Sequence, residues 1–143
     1  MINFINNLFK SKKESFKDKP NFKELVSSKE IQDLFKSINT YSDEGEIRFV
    51  GGCVRKLING EVVDDIDLST NLRPEIIIEI LKKNKINFYE TGIEHGTITA
   101  VINKKSFEIT SLRKDVKTDG RHAQVEYTKN WLEDASRRDF TIN

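Results

Sequence analysis

The chain has 143 residues, and its 24 Lys and Arg nearly balance 23 Asp and Glu, giving a formal net charge of +1. This length fits one domain with a single core, and the near-zero charge excludes a global attraction to nucleic acid, so any basic surface must be local. One Cys and two His exclude a disulfide framework and a zinc cage, and no apolar run reaches the length of a membrane span, so we expect a cytoplasmic domain.

The chain divides at Pro20 into a basic segment and a globular domain. Residues 1–20 carry five lysines and are predicted to be flexible, the alternative being a short amphipathic helix lying on a surface. Residues 21–143 are predicted to form the domain. Its first part, 21–40, has apolar residues at helical spacing with a break near Ser27 and Ser28, which predicts a helical lead-in that packs on a sheet.

A glycine pair follows the first predicted strand. Residues 47–50 form a short apolar run, and Gly51 and Gly52 come next. Glycine lets the backbone turn sharply and brings main-chain N–H groups close to an anion. Arg55 falls on the first turn of the next predicted helix, near its positive dipole end, where a phosphate is well placed. The turn therefore predicts a phosphate site.

Two aspartates lie on the next predicted strand, which is expected to begin at Val62. Asp65 and Asp67 alternate with Ile66 and Leu68, so both carboxylates share one face and both aliphatic side chains the other. Carboxylates at this spacing can reach divalent ions about 3.5–4 Å apart, an arrangement that clamps the attacking and leaving oxygens of phosphoryl-type transfer. Together with the glycine turn, they predict a triphosphate and magnesium site.

The remaining elements set the predicted fold class. A helix opens at Pro74, residues 86–89 form a strand, and strands over 97–102 and 106–112 flank a hairpin turn. Helices and strands mix with a hairpin inside. We therefore predict an α/β (α+β) fold, with a mixed, mostly antiparallel sheet of about five strands flanked by helices.

The hairpin carries a further acid. Phe107 and Ile109 are expected in the core, which turns Glu108 to the opposite face, where the aspartate strand could present its own carboxylates. Glu108 would then bind metal or accept the proton of an attacking hydroxyl, the alternative being a solvated strand residue. His95, in a turn between two glycines, is expected to be structural.

The last third of the chain adds arginines. Arg113 and Arg121 lie in a charged stretch with a glycine, where they either neutralise phosphates or belong to a solvated loop. Near the end, Arg138 and Asp139 suggest a fixed fork for phosphate and an acceptor toward a nucleotide sugar.

Four motifs in this order resemble one enzyme family. Residues 51–70 resemble the signature GGxVRD…DxD of the class II nucleotidyltransferases, which comprise tRNA nucleotidyltransferases (CCA-adding enzymes) and bacterial poly(A) polymerases. Residues 91–97 resemble the family's TG…HGT, and residues 111–121 its LRxD…DGR. Residues 134–143 resemble its D…RRDFTIN, with a near-complete match over residues 137–143. One position departs from the pattern, because Lys56 stands where the family usually has an acid after the arginine.

The resemblance implies a polymerase-β-like nucleotidyltransferase fold and a magnesium-dependent reaction. AMP or CMP would pass from ATP or CTP to the 3′-hydroxyl of an RNA, a tRNA, with release of pyrophosphate. It implies Asp65 and Asp67 as Mg²⁺ ligands and Glu108 as a third acid. Nucleotide-binding residues would be Gly51, Gly52, Arg55, Arg113, Arg138 and Asp139.

The resemblance covers about residues 47–143, which correspond to the family's head domain. Its neck, body and tail domains, which read the base and hold tRNA, are expected to be absent. The chain would then be a fragment, a truncated product or a head that needs a partner. The alternative function is a nucleotide-binding module without turnover.

Overall fold

The computed structural model describes residues 20–116 and 125–138. The helices are α1 (Pro20–Ser27), α2 (Lys29–Asn39), α3 (Gly52–Asn59), α4 (Pro74–Lys83) and α5 (Trp131–Ser136), with a 3₁₀ turn at Ile93–His95. The strands are β1 (Ile47–Phe49), β2 (Asp67–Thr70), β3 (Asn87–Gly92), β4 (Thr97–Ile102), β5 (Lys105–Ser111), β6 (Arg113–Asp115) and β7 (Val125–Tyr127).

Five strands form the main sheet, in the order β1-β2-β5-β4-β3. The pair β2 and β5 is parallel, and the other three pairs are antiparallel. The predicted mixed, mostly antiparallel sheet of about five strands is therefore confirmed. Strands β6 and β7 form a separate antiparallel ribbon.

The core lies on one face of this sheet, under α2 and α4. Its strand residues alternate with outward-facing ones, as the period of a strand requires. Its fully buried members include Leu34, Ile38, Leu68, Ile77, Leu81, Ile98, Phe107 and Ile109. Burying one such side chain contributes about 1.5–3 kcal/mol. This apolar layer packs the sheet against the two helices and leaves the other face for polar side chains.

The helical lead-in contains two helices, and the predicted break lies between them. Helix α1 ends at Ser27, and the Ser28 side chain caps α2 by accepting a hydrogen bond from the N–H of Ile31 at 3.4 Å. Over residues 20–116 and 125–138, no helix combines the length and apolarity that crossing a bilayer requires.

Candidate active site

The glycine turn lies directly against Asp67, one of the two candidate metal ligands. Gly51 has φ +68°, in a region that disfavours other residues, and Gly52 begins α3. The Val50 N–H donates to the carbonyl of Asp67 at 3.0 Å, and a Cβ built on Gly51 would lie 3.6 Å from Asp67 Oδ2. The turn and the carboxylate therefore share one small space.

Arg55 belongs to the same turn region. It lies on the first turn of α3, as predicted, and its Nη2 is 3.8 Å from where a Cβ on Gly52 would stand. Beneath it, Cys53 is buried and donates its thiol to the Val50 carbonyl at 3.0 Å, while burial raises the pKa of that thiol. Cys53 is thus a small packing residue, as expected.

The two aspartates differ in their surroundings. Asp67 is the first residue of β2 and is half-buried, whereas Asp65 lies at a bend before the strand and is exposed. The prediction of a strand from Val62 was wrong. Residues before Asp67 have no partner on β1, because the chain leaves that strand at Gly51 to enter α3. Ile66 still packs against the core, so the alternation around Asp67 holds.

Glu108 stands directly opposite Asp67. Strands β2 and β5 are parallel, with Asp67 paired to Glu108 and Leu68 paired to Ile109. Paired residues share a face, and since Leu68 and Ile109 are buried in the core, Asp67 and Glu108 point to the open face. The predicted proximity of the two acids is therefore found.

These acids do not form a closed metal cage by themselves. Among the side chains that the structure describes, no group of three or more His, Cys, Asp or Glu is close enough to hold one ion. Their oxygens are nevertheless hard ligands. Mg²⁺ is commonly bound by one or two carboxylates, with water and substrate phosphates completing its shell. Asp67, with Asp65 and Glu108 nearby in the fold, fits that mode of binding.

Arg138 reaches the same face of the sheet through α5. Its Nη2 donates to Ser69 Oγ at 3.2 Å, and Ser69 is two residues after Asp67 on β2, so both side chains share a face. Its Nε donates to Asp134 Oδ2 at 3.0 Å. These two hydrogen bonds therefore hold the guanidinium of Arg138 on the face of the sheet that carries Asp67.

The adjacent arginine has a different environment. Arg137 Nη2 donates to Asp134 Oδ1 at 3.0 Å, and its Nε also bonds the carbonyl of Arg113 at 3.2 Å. Arg137 thus ties α5 to β6, whereas Arg138 faces β2. Of the pair, Arg138 is the one placed for a ligand.

Arg113 lies in β6 and contacts the 3₁₀ turn and α5. Its Nη1 donates to the carbonyl of His95 at 3.1 Å, which fixes the 3₁₀ turn, and its N–H donates to Asp134 Oδ1 at 3.0 Å. Its role on phosphate stays a prediction. Arg121 and Asp139 lie outside the described residues.

Two groups of residues that organise the site were not predicted from the sequence. Asp134 is 3% exposed and binds both Arg137 and Arg138, which follow it by three and four residues at the end of α5. That spacing is a signal that could have revealed its role. Trp131 donates to Glu46 Oε2 at 2.9 Å, and Arg48 stacks over its ring at 4.1 Å. These contacts join α5 to β1, and no local pattern in the sequence predicts them.

Lys56, the residue that departs from the family pattern, pairs with Asp64. The hydrogen bond between them raises the pKa of Lys56 and lowers the pKa of Asp64. Asp64 Oδ1 also accepts the N–H of Asp65 at 3.1 Å. The contact links α3 to the loop that carries Asp65.

Comparison with known proteins places the chain in a family. A family model described as the poly(A) polymerase head domain matches residues 47–143. The mitochondrial CCA tRNA nucleotidyltransferase 1 of Homo sapiens is 45% identical over 125 residues, which cover 82% of this chain and 29% of that protein. The CCA-adding enzyme of Lactobacillus delbrueckii subsp. bulgaricus is 40% identical over 100 residues, covering 68% of this chain and 24% of that enzyme.

Solved structures agree with the sequence comparisons. The Bacillus stearothermophilus CCA-adding enzyme in complex with CTP superposes with a TM-score of 0.65 at 29% identity, covering 86% of this chain and 26% of that one. A tRNA nucleotidyltransferase complexed with a primer tRNA and an incoming ATP analogue gives a TM-score of 0.54 at 27% identity, covering 74% and 29%.

These matches confirm the resemblance found in the motifs and the polymerase-β-like fold. The chain spans less than a third of the length of the relatives that it matches. Since the family model covers residues 47–143, from β1 to the last residue, the chain belongs to the family of poly(A) polymerase head domains.

Proposed function

We propose that this chain is the nucleotidyl-transferring head of a tRNA 3′-end nucleotidyltransferase. It would transfer AMP or CMP from ATP or CTP to the 3′-hydroxyl of a tRNA and release pyrophosphate. The observation that carries the proposal is the pairing of Asp67 with Glu108 on an open sheet face, against the Gly51 turn. Two solved structures of similar proteins support it: a CCA-adding enzyme in complex with CTP, and a tRNA nucleotidyltransferase complexed with a primer tRNA.

The triphosphate would lie between the glycine turn and α5. Gly51 and Gly52 leave room for phosphate oxygens beside the start of α3, where backbone N–H groups and the helix dipole favour an anion. Arg55 and Arg138 flank this space and would supply charged hydrogen bonds, which are stronger than neutral ones. None of these contacts reads a base, so they fit ATP and CTP equally.

Magnesium would be held by Asp65 and Asp67 together with phosphate oxygens of the nucleotide. When bound, Mg²⁺ would lower the pKa of the attacking hydroxyl and neutralise charge on the leaving pyrophosphate. Asp65 lies in a loop and not in the strand, so its carboxylate must be brought to the ion by that loop. The pair Asp67 and Glu108 would provide the fixed part of the site.

In the reaction, the 3′-hydroxyl oxygen attacks the α-phosphorus and forms a new P–O bond. The bond from the α-phosphorus to the bridging oxygen of the β-phosphate breaks, and pyrophosphate leaves on the opposite side. Glu108 is exposed on the open face and would accept the proton of the hydroxyl. The arginines would stabilise the charge on the phosphates.

A nucleotide-binding module without turnover is the second candidate. It is favoured by one observation: Asp65 is exposed at a bend before β2, so the sheet fixes the position of only one of the two aspartates. Such a chain would still bind a nucleotide through the glycine turn and arginines. Extension of a radiolabelled tRNA lacking its 3′ end, with release of pyrophosphate, separates the two candidates.

The metal assignment is tested by Asp67→Ala. We expect calorimetric titration with MgATP to show binding to the wild-type chain and loss of the metal-dependent part in the variant, because a ligand oxygen is removed. Asp33→Ala, on the exposed side of α2, is the matched control and should bind as wild type. Wild-type affinity in Asp67→Ala would refute the assignment.

A further inference from the structure

A row of four side chains crosses the open face of the sheet. Asp67 on β2 is paired with Glu108 on β5, Glu108 with Thr99 on β4, and Thr99 with Tyr89 on β3. Directly paired residues point to the same face. Since neighbouring strands are about 4.7–4.9 Å apart, the row extends about 14 Å from the aspartate to the tyrosine.

Other side chains cover this face of the sheet on one side of the row, whereas the row itself is open to solvent. Two residues further along the strands, Ser69 is buried under Arg138, and the hydroxyls of Thr97 and Thr110 bond each other at 2.9 Å. The ring of Tyr127 also packs against Gly96. By contrast, Glu108 and Tyr89 are exposed, with Tyr89 at 63%. The row therefore forms the floor of an open strip.

The geometry of the proposed reaction indicates which substrate would lie over this strip. Gly51 and Arg55 lie on the β1 side of Asp67, so the triphosphate and its leaving pyrophosphate belong on that side. In phosphoryl transfer the attacking and leaving oxygens are roughly in line through the phosphorus. The 3′-hydroxyl must then approach from the other side, over Glu108. The nucleotides preceding it would extend toward β3.

We propose that Tyr89 is a stacking contact for a base near the 3′ end of the single-stranded RNA primer. The inference rests on the proposed function, because that reaction fixes which side the RNA occupies. An exposed aromatic side chain on a sheet face suits the flat face of any base. Single nucleotides are several ångströms long, so a row of about 14 Å spans the terminal nucleotide and one or two before it.

The test is the affinity of a fluorescently labelled hexaribonucleotide with a free 3′-hydroxyl, measured by anisotropy. Tyr89→Ala should raise its Kd about tenfold, the usual size of a lost stacking contact. Tyr89→Phe keeps the ring and should stay within about twofold. Tyr41→Ala is the matched control, since Tyr41 is also an exposed tyrosine, but its hydroxyl bonds Glu79 on α4. The Kd for MgATP should be unchanged in all three variants.

Three results would overturn the proposal. One is an unchanged Kd for the oligonucleotide in Tyr89→Ala, and another is an equal loss in Tyr89→Phe, which would assign the effect to the hydroxyl. The third is the absence of oligonucleotide binding by the wild-type chain at saturating concentration. Failure of the proposed function is seen separately, as a wild-type chain that does not bind MgATP. Circular dichroism melting excludes unfolding as the cause in either variant.

Discussion

Replacing Asp134 tests whether one buried carboxylate organises the C-terminal part of the site. Its Oδ1 accepts bonds from the Arg113 N–H at 3.0 Å and from Arg137, and its Oδ2 accepts from Arg138 Nε at 3.0 Å. Asp134→Asn keeps the shape of the side chain but removes the charge. Asp134→Ala removes every acceptor and leaves both guanidinium groups without this counter-ion.

The magnitude follows from burial. The side chains of Asp134, Arg137 and Arg138 are 4%, 15% and 20% exposed, so solvent screens these pairs little. Removing one partner of a buried pair typically costs 3–5 kcal/mol. We therefore expect Asp134→Ala to lose about 3–5 kcal/mol of unfolding free energy, which lowers Tm by roughly 10 °C in a chain of this size. Asp134→Asn keeps one oxygen acceptor and should lose less, about 2 kcal/mol.

Urea unfolding followed by circular dichroism measures these losses, with Glu133→Gln, an exposed neighbour on α5, as the control. A second readout separates positioning from stability. Asp134→Asn should weaken MgATP binding in the wild-type background but add nothing in an Arg138→Ala background, because its effect passes through Arg138. A stability change below about 0.5 kcal/mol, or additive losses of MgATP affinity in the double variant, would refute the reasoning.

Two further predictions concern the phosphate contacts and the 3₁₀ turn. Arg55→Ala and Arg138→Ala should each weaken ATP and CTP by similar factors, about 1.5–3 kcal/mol for a charged hydrogen bond; calorimetry with both nucleotides checks this, and a loss confined to one nucleotide would contradict it. Gly96→Ala should lower the free energy of unfolding by about 1–3 kcal/mol, because φ is +79° and the new Cβ would meet Tyr127 Cε1 at 2.8 Å. A urea midpoint equal to that of wild type would contradict both the backbone strain and the clash with Tyr127.

The sheet was predictable because its signals are local. Alternation around Phe107 and Ile109 assigned Glu108 to the polar face from three consecutive residues. The position of Glu108 opposite Asp67 could not be predicted from local alternation. It depends on the parallel pairing of β2 with β5, with α4, β3, the 3₁₀ turn and β4 between them along the chain, and alternation alone does not specify that register.

The start of β2 at Asp67 and the contacts of Trp131 were not predictable either, because both depend on residues far away along the chain. β2 has no partner on β1 before Asp67. β1 ends there because Gly51 turns the chain into α3. Trp131 is 85 residues from Glu46, so their hydrogen bond exists only once β1 and α5 are packed together. Motifs indicated the candidate site residues, whereas the residues that hold them in place became visible only in three dimensions.

Lys56 shows how a departure from a family pattern can be accommodated locally. An acid after Arg55 would be expected to orient that arginine, and a lysine there cannot accept a hydrogen bond. In this chain the lysine instead pairs with Asp64, whose carboxylate also accepts the N–H of Asp65. The pair is largely exposed, so it contributes little to overall stability. Its physical effect is local: it restrains the backbone of Asp65, a candidate metal ligand, on a loop outside the sheet. The lysine therefore acts on the candidate metal ligand and leaves the orientation of Arg55 to other contacts.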